Sequence, residues 1–276
     1  LAVIDNAEIE SGIIFLDTAT TAWQQAVEAW ALDQDNTNGR RFRMSFGMAA
    51  ATTASAAAIR ASLIGNHRVA LTFQRFVDAG DATVTNPAIY SAAALAGMTG
   101  GMQPFVDAQS LVKSRRRLKA ASIYAADRLT KTQRNTALKA GVNVLIEKAG
   151  QVLFDMAVTT DQGAIRAWRM WSEACVIDML SIHLEEAIDP SVFWATKRLG
   201  AVLQAKATQV LDQYAQAELI TGGKDANGVA HPAYTNPVIV LEEGLATIST
   251  SVGMVGEVDH IYIPVTVQKV TITVEG

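Results

Sequence analysis

The sequence predicts an α/β (α+β) fold in which helices flank a mixed sheet, two long C-terminal helices follow, and a C-terminal β arm ends the chain. In the first half, short apolar runs alternate with segments of helical periodicity. Strands that alternate with helices are joined by right-handed crossovers, which gives a parallel or mixed sheet. In the second half, two long helical patterns precede the closing strand patterns.

The composition predicts one large domain or two packed subdomains. Half of the 276 residues are hydrophobic and only 18% are charged, so a sizeable core is expected. The net charge of −4 argues against a nucleic-acid binder, which usually carries a basic stripe. Neither an apolar run of about 18 residues nor a signal-peptide pattern is present, so direct membrane insertion is not predicted. Cys175 is alone and is expected to be a small core residue.

Residues 1–128 form the first predicted subdomain. Strands are predicted over residues 12–16, 41–46 and 68–76. Helices are predicted after the cap residues 17–21, over residues 55–64, and from Asn86-Pro87 onward, where Pro is favoured in a first helical turn. Apolar and polar residues alternate in 41–46, which predicts a strand with one polar face.

Residues 129–267 form the second predicted subdomain, which begins with a helix over residues 129–138 that Gly141 ends. A strand over residues 142–146 follows, and a turn at 148–150 returns into a strand over 152–158, which gives a hairpin. A helix over residues 164–188 carries apolar residues around most of its circumference. Asp189-Pro190 starts the next helix, which ends at Gly222-Gly223.

The closing strand pattern changes phase part-way. Side chains alternate between the faces of a strand, so a flat strand cannot place residues of opposite parity on one face. The two sets are Ile261, Ile263, Val265 and Val267, then Val270, Ile272 and Val274. Either a bulge lies near Gln268-Lys269, or the last six residues leave the home sheet and pair elsewhere. We predict that residues 268–276 are a linking strand, in which Val270, Ile272 and Val274 form an inter-subunit arm.

The sequence contains no constellation typical of catalysis. The glycines within 97–101 follow a helical pattern instead of a strand, so a phosphate loop is not predicted. The histidines at 67, 183, 231 and 260 lack metal-ligand spacing. The adjacent glutamates at 185–186 and 242–243 are typical of solvated surface, and no Gly-x-Ser-x-Gly motif occurs. We therefore predict no enzymatic activity, no metal and no cofactor.

One dense basic segment, residues 113–119, contains Arg115, Arg116 and Arg117. In an acidic chain without interleaved aromatic residues, the functional interpretation is an inter-subunit salt-bridge site. The alternatives are a solvated face and a local nucleic-acid contact.

Two tryptophans three residues apart, Trp168 and Trp171, are flanked by Arg166 and Arg169. Tryptophan and arginine are common anchors of protein interfaces, so this group is a candidate for a subunit contact. Core packing of both tryptophans is the interpretation that we favour.

The order of segments from Asn86 to the C-terminus resembles the conserved part of contractile tail sheath proteins of bacteriophages and related injection systems. The matching segments are Asn86-Pro-Ala-Ile-Tyr-Ser-Ala-Ala-Ala-Leu-Ala-Gly97, Leu129-Thr, Gly141-Val-Asn-Val-Leu145, Phe154-Asp-Met-Ala-Val-Thr-Thr160, Asp189-Pro190 and Ile261-Tyr-Ile-Pro-Val-Thr-Val267. The family is usually longer, with an N-terminal arm and inserted outer domains that are not evident here.

The resemblance implies a structural subunit of the virion tail that assembles in the host bacterial cytoplasm. Such subunits form stacked hexameric rings wound helically around an inner tail tube, and they contract to drive that tube through a cell envelope. Implied partners are further copies of the chain, the tube protein, the baseplate and the tail terminator. By chemistry alone, candidate subunit- or tube-facing residues are Arg115, Arg116, Arg117, Arg166, Arg169, Lys197 and Arg198.

Two other interpretations stay open. A nucleotide- or substrate-binding α/β enzyme would need a glycine-rich turn between strand and helix, or clustered polar side chains. Another virion shell protein would be expected to build a closed shell instead of a helical tube.

Overall fold

The computed structural model describes residues 11–38, 40–49, 52–100, 117–163, 166–187, 199–224, 228–242, 245–254 and 262–271. By its contacts the chain divides into two compact units, with the boundary after Ala174. The mixed α/β architecture expected from the sequence is confirmed. The three-part division with boundaries after residues 128 and 267 stays a prediction.

The first unit contains strands β1 to β10 and helices α1 to α5. The strands are β1 (Ser11–Phe15), β2 (Arg41–Gly47), β3 (Val69–Thr72), β4 (Phe76–Asp78), β5 (Thr85–Asn86), β6 (Arg117–Leu118), β7 (Ala120–Ile123), β8 (Val142–Asn143), β9 (Leu145–Lys148) and β10 (Gln151–Phe154). The helices are α1 (Thr21–Asn38), α2 (Ala54–Ile64), α3 (Ala88–Gly100), α4 (Lys131–Lys139) and α5 (Arg166–Arg169), with a 3-10 turn at Ala125–Asp127.

A four-stranded parallel sheet in the order β1-β2-β3-β8 is the centre of this unit. The strand–helix–strand–helix order predicted such a sheet, and its parallel direction is confirmed. Side chains of one face, among them Phe42, Met44 and Phe46 of β2, form a core cluster with residues of α1, α2 and α4. The other face meets α3, where the Ser45 hydroxyl donates to the Ala92 carbonyl oxygen at 2.8 Å.

The face of β2 that carries Arg43 and Ser45 is polar, as predicted, but it is buried instead of solvated. Arg43 is 5% exposed and Ser45 is fully buried, because β2 is a central strand covered on both faces. Burial of these polar groups is tolerated because they are bonded. The Arg43 Nη1 donates to the His67 carbonyl oxygen at 3.3 Å, and its guanidinium lies 4.9 Å from the ring centre of Trp171.

The predicted strand over residues 68–76 is two strands, β3 and β4. Between them Gln74 is fully buried, and its side-chain amide donates to the Asp127 carbonyl oxygen at 2.8 Å. Its side-chain oxygen accepts from the Leu145 backbone N–H at 2.5 Å. These bonds hold the chain where it leaves the parallel sheet, and β4 then joins an antiparallel sheet in the order β5-β4-β7.

Local residue chemistry explains where several elements begin and end. The Thr53 hydroxyl caps α2 by accepting from the Ala56 N–H, and Gly65 ends that helix in the left-handed conformation. Thr130 and Gln133 form a capping box at the start of α4. The predicted hairpin turn lies between β9 and β10, where Ala149 and Gly150 both have positive φ, as a two-residue turn requires.

The predicted helix over residues 164–188 is α5 followed by α6 (Trp171–Ala187). The break at Met170 has a backbone cause, because Met170 forms a β-bridge with Val158 and the Trp171 N–H donates to the Ala157 carbonyl oxygen. The predicted helix start at Asp189-Pro190 lies outside the described residues. From Cys175 onward α6 belongs to the second unit, and Cys175 is buried as expected.

The second unit also contains α7 and five short or antiparallel strands. They are α7 (Leu199–Gln216), β11 (Gly223–Lys224), β12 (Ala230–His231), β13 (Val238–Glu242), β14 (Leu245–Gly253) and β15 (Tyr262–Thr271). Helices α6 and α7 confirm the two long C-terminal helices. No helix in the described ranges combines the length and apolarity needed to cross a membrane.

Two glycines test how closely the parallel sheet packs. A Cβ at Gly47, at the end of β2, would lie 2.5 Å from the Ile89 Cα, whereas one at Gly97 in α3 would meet nothing within 4 Å. We expect Gly47→Ala to lower the free energy of unfolding by about 1–3 kcal/mol, because α3 must move away. Gly97→Ala should leave it unchanged or raise it by up to about 1 kcal/mol. Equal midpoints of the two variants in urea would contradict this close packing.

Candidate assembly surface

The closing strands form a three-stranded antiparallel sheet in the order β13-β14-β15. The ladder between β14 and β15 runs from Gly253 opposite Tyr262 to Leu245 opposite Thr271. Its register shifts by one residue on the β15 side, between Val267 and Val270. An extra residue there inverts the parity of the strand, which resolves the phase change in the sequence. The bulge at Gln268-Lys269, one of the two predicted alternatives, is confirmed.

The predicted inter-subunit arm is only partly within the described residues. Val270 lies opposite Ala246 of the same chain, so in this structure it belongs to the home sheet. Val270 was expected to leave the home sheet, but the bulge lets the ladder continue through this residue. Ile272 and Val274 lie outside the described residues, and the arm beyond Thr271 stays a prediction.

One uncharged, exposed face of this sheet was not predicted from the sequence. Val238 and Val240 of β13 are 59% and 45% exposed. Their register partners on β14 are Ser249 and Thr247. Apolar side chains exposed at alternate positions of an edge strand are typical of a strand that receives another strand. The alternation was available in the sequence, but it could not show which face is covered.

Helix α7 packs against this sheet and borders a groove. Its buried stripe is Leu199, Leu203, Ala207, Val210, Leu211 and Tyr214. The Gln204 side-chain amide donates to the Pro237 carbonyl oxygen at 3.0 Å, which fixes the helix to the start of β13. The groove, of about 580 Å³, is lined by Ala201, Gln204, Ala205, Thr208, Gln209, Asp212, Gln213, Gln216 and Asn236. Carboxamides both donate and accept hydrogen bonds, so this lining suits a peptide backbone.

Two tyrosines fix the surroundings of α7. The Tyr234 hydroxyl donates to the Asp212 carboxylate at 2.5 Å, and this bond raises the pKa of Tyr234 to about 12. Tyr214 is fully buried, and burial raises its pKa. Its hydroxyl lies 2.8 Å from the His183 Nδ1. His183 is thus a partner of Tyr214, which is a structural role.

The described residues hold no group of three or more His, Cys, Asp or Glu side chains that could bind a metal ion. His260 lies outside them. Gly97 and Gly100 lie within α3 and not after it, and Gly101 lies outside the described residues.

Comparison with solved structures places these elements in a known fold. The sheath tail protein from Desulfitobacterium hafniense superposes with a TM-score of 0.73 at 15% identity, over 97% of this chain and 58% of that one. The sheath tail protein from Listeria innocua gives a TM-score of 0.68 at 12% identity, over 97% and 58%. The contracted helical sheath of the anti-feeding prophage gives 0.65 at 15% identity, over 95% and 71%. The chain has the fold of contractile tail sheath proteins.

These likenesses are structural. No protein-family model matches the sequence, and no curated protein matches it. The chain spans 58% of the length of both sheath tail proteins from bacteria. The resemblance noticed in the order of sequence segments is therefore confirmed as a shared sheath fold.

Within this sheath fold, the basic segment leads into β6. Arg117 is exposed and pairs through its backbone with Leu153, while Leu118 is buried. Arg115 and Arg116 lie outside the described residues, as do Lys197 and Arg198. Salt-bridge partners for the segment in another subunit stay a prediction.

The two tryptophans have different surroundings. Trp171 is 1% exposed, which confirms core packing, and the Arg43 guanidinium lies over its ring. Trp168 is half-buried, and its ring centre lies 4.3 Å from that of His67. Arg169 is half-buried, and its carbonyl oxygen accepts from the Thr159 N–H. Arg166 lies in α5, and its side chain is outside the described part.

This difference predicts unequal costs for the two tryptophans. Trp171→Ala should lower the free energy of unfolding by about 3–5 kcal/mol, because it empties a fully buried site and removes the partner of Arg43. Trp168→Ala should cost clearly less, because water already reaches that side chain. Chemical denaturation of both variants gives the comparison, and a larger loss for Trp168→Ala would refute the assignment of Trp171 to the core.

Proposed function

We propose that the chain is a structural subunit of a contractile tail sheath, without enzymatic activity. The carrying observation is the superposition of 97% of the chain on a sheath tail protein with a TM-score of 0.73. Because the chain spans 58% of that protein, the proposal concerns the sheath core that the two share. A nucleotide or metal that copurifies with the chain would contradict this function.

The proposed partners are copies of the chain itself, in hexameric rings stacked helically around an inner tail tube. Support comes from the anti-feeding prophage, whose matching chains belong to a baseplate and to a contracted helical sheath. Baseplate and tail terminator are proposed as partners at the two ends, and the virion tail as the location. Head-to-tail interfaces that do not close into a ring generate helical polymers of this kind.

Contraction would be a rigid-body rearrangement of subunits between two packings. For that movement neighbours need a tether that survives the change of packing. We propose that residues after Thr271 form it, with Ile272 and Val274 added to the sheet of a neighbouring subunit. The open edge of β13 supports this role, because Val238 and Val240 are exposed there and no strand among the described residues covers it.

Charge complementarity is proposed to hold subunits in register. Arg115, Arg116 and Arg117 would pair with acidic residues of a neighbouring subunit, since the chain as a whole carries a net charge of −4. Arg166, Arg169, Lys197 and Arg198 are proposed as further contacts to a subunit or to the tube.

Removal of residues 272–276 tests the tether. The truncated chain should remain folded, because the described ladder of β15 ends at Thr271. It should fail to form polymers that pellet in the ultracentrifuge under conditions in which the full chain does. Ile272→Asp with Val274→Asp should act like the truncation. Thr273→Asp is the matched control, because it places a charge on the opposite strand parity, and it should polymerise. Normal polymerisation of the truncated chain would exclude the tether.

The basic segment has a separate test. Replacing Arg115, Arg116 and Arg117 with Ala should impair polymerisation and leave the melting temperature of the monomer nearly unchanged, because the exposed Arg117 contributes little to the core. Replacing the exposed Lys131, Lys139 and Lys206 with Ala removes the same charge elsewhere and is the control. Equal polymerisation of both triple variants would reduce the segment to a solvated face.

A further inference from the structure

The outer surface of helices α1 and α2 carries an exposed aliphatic patch. Ile59 and Leu63, about one helical turn apart on α2, are 63% and 74% exposed. Leu32 of α1 is 52% exposed, and it lines a cleft of about 350 Å³ together with Ile64 and Gly65 at the end of α2. The three exposed side chains therefore belong to one patch on the helical layer of the first unit.

The charges of these two helices are turned away from the patch. Residues 21–32 of α1 and 54–64 of α2 contain one charged residue each, Glu28 and Arg60. Arg60 is buried, Glu28 is half-buried, and the two attract each other. Three exposed Leu and Ile side chains amount to about 300–400 Å², which is the size of apolar patches that often mark interaction sites.

A second uncharged surface lies on the opposite side of the parallel sheet. Helix α3 covers that side, and its sequence, Ala88–Gly100, contains no charged residue. Tyr90 and Gly97, about two helical turns apart, are both exposed and lie on one face of this helix. A Cβ at Gly97 would meet nothing within 4 Å, so this face offers an aromatic ring and open space for another side chain.

The placement of the two surfaces identifies what can cover them. Met44 and Phe46 of β2 pack with α1 and α2, whereas Ser45 between them bonds to α3, so the surfaces face in opposite directions. Contact between opposite faces of successive copies is head-to-tail and builds an open polymer, whereas contact between like faces would stop at a dimer. Because neither surface exposes a charge, two copies of net charge −4 can meet there without like charges opposite each other.

We propose that the α1–α2 patch, formed by Leu32, Ile59 and Leu63, packs against the α3 face of a second copy of the chain. This contact rests on the proposed sheath function and gives it a packing surface between the first units of neighbouring subunits. Removal of the aliphatic side chains from water supplies the favourable free energy, since no charge pairing is involved.

A charge on the patch tests the contact. Leu63→Lys should raise the concentration at which the chain polymerises by about tenfold or more, because a leucine buried at an interface contributes at least that factor. The monomer should melt at the wild-type temperature, since Leu63 is exposed. One added positive charge changes the net charge from −4 to −3, so greater repulsion between copies cannot explain the loss.

Val84→Lys is the matched control for Leu63→Lys. Val84 is another exposed apolar residue of the first unit, it lies between β4 and β5, and its variant should polymerise like the wild type. Normal polymerisation of Leu63→Lys would overturn the proposed contact and leave the sheath function standing. Equal impairment of both variants would also overturn it, because the effect would then not be specific to the patch.

Cross-linking tests which surface receives the patch. Chains with Leu63→Cys and chains with Gly97→Cys are polymerised together and treated with a short bismaleimide, while the natural Cys175 is buried. The mixture should give cross-linked dimers, and neither variant should do so when it is polymerised alone. Dimers from Leu63→Cys alone would show contact between like faces and refute the head-to-tail arrangement, and a polymer without mixed dimers would refute the α3 face as the partner. Failure of the wild-type chain to polymerise would contradict the sheath function, and this contact with it.

Discussion

Burial of both faces of β2 is the constraint on which the first unit depends. A central parallel strand needs a helical layer on each side, and every polar group it carries must find a partner there. Ser45 bonds to α3, and the Gln24 side chain donates to the Gly47 carbonyl oxygen from α1. Helix α3 can then approach the sheet at Gly47 so closely that a Cβ has no room.

The second unit poses the opposite problem, because its sheet has open edges. Strand β14 is central. Strand β13 exposes two valines, and the residues paired with them, Thr247 and Ser249, are uncharged. Edge strands in soluble proteins are usually protected by charge, proline or a covering element. A sheath subunit would need such an edge, since its neighbours must be held while their packing changes.

Local patterns in the sequence predicted much of this structure. The parallel sheet, the hairpin turn at Gly150 and the bulge in β15, which was one of two predicted alternatives, all follow from short-range residue chemistry. What failed depended on tertiary contacts. Strand β2 alternates like a half-exposed strand, yet Arg43 finds its partners only through folding. The side-chain bonds of Gln74 and the bridge at Met170 likewise join residues that are separated in the sequence. For the candidate assembly surface, the phase change in β15 could be predicted from the sequence, whereas the exposure of the two β13 valines could not.

Electron microscopy of the purified chain, concentrated until it assembles, tests the central claim most directly. A sheath subunit should form ribbed tubes with helical symmetry and an open lumen wide enough for an inner tube. Closed shells would instead indicate another kind of virion shell protein. Particles that stay monomeric at every concentration and with a tube protein added would contradict the account.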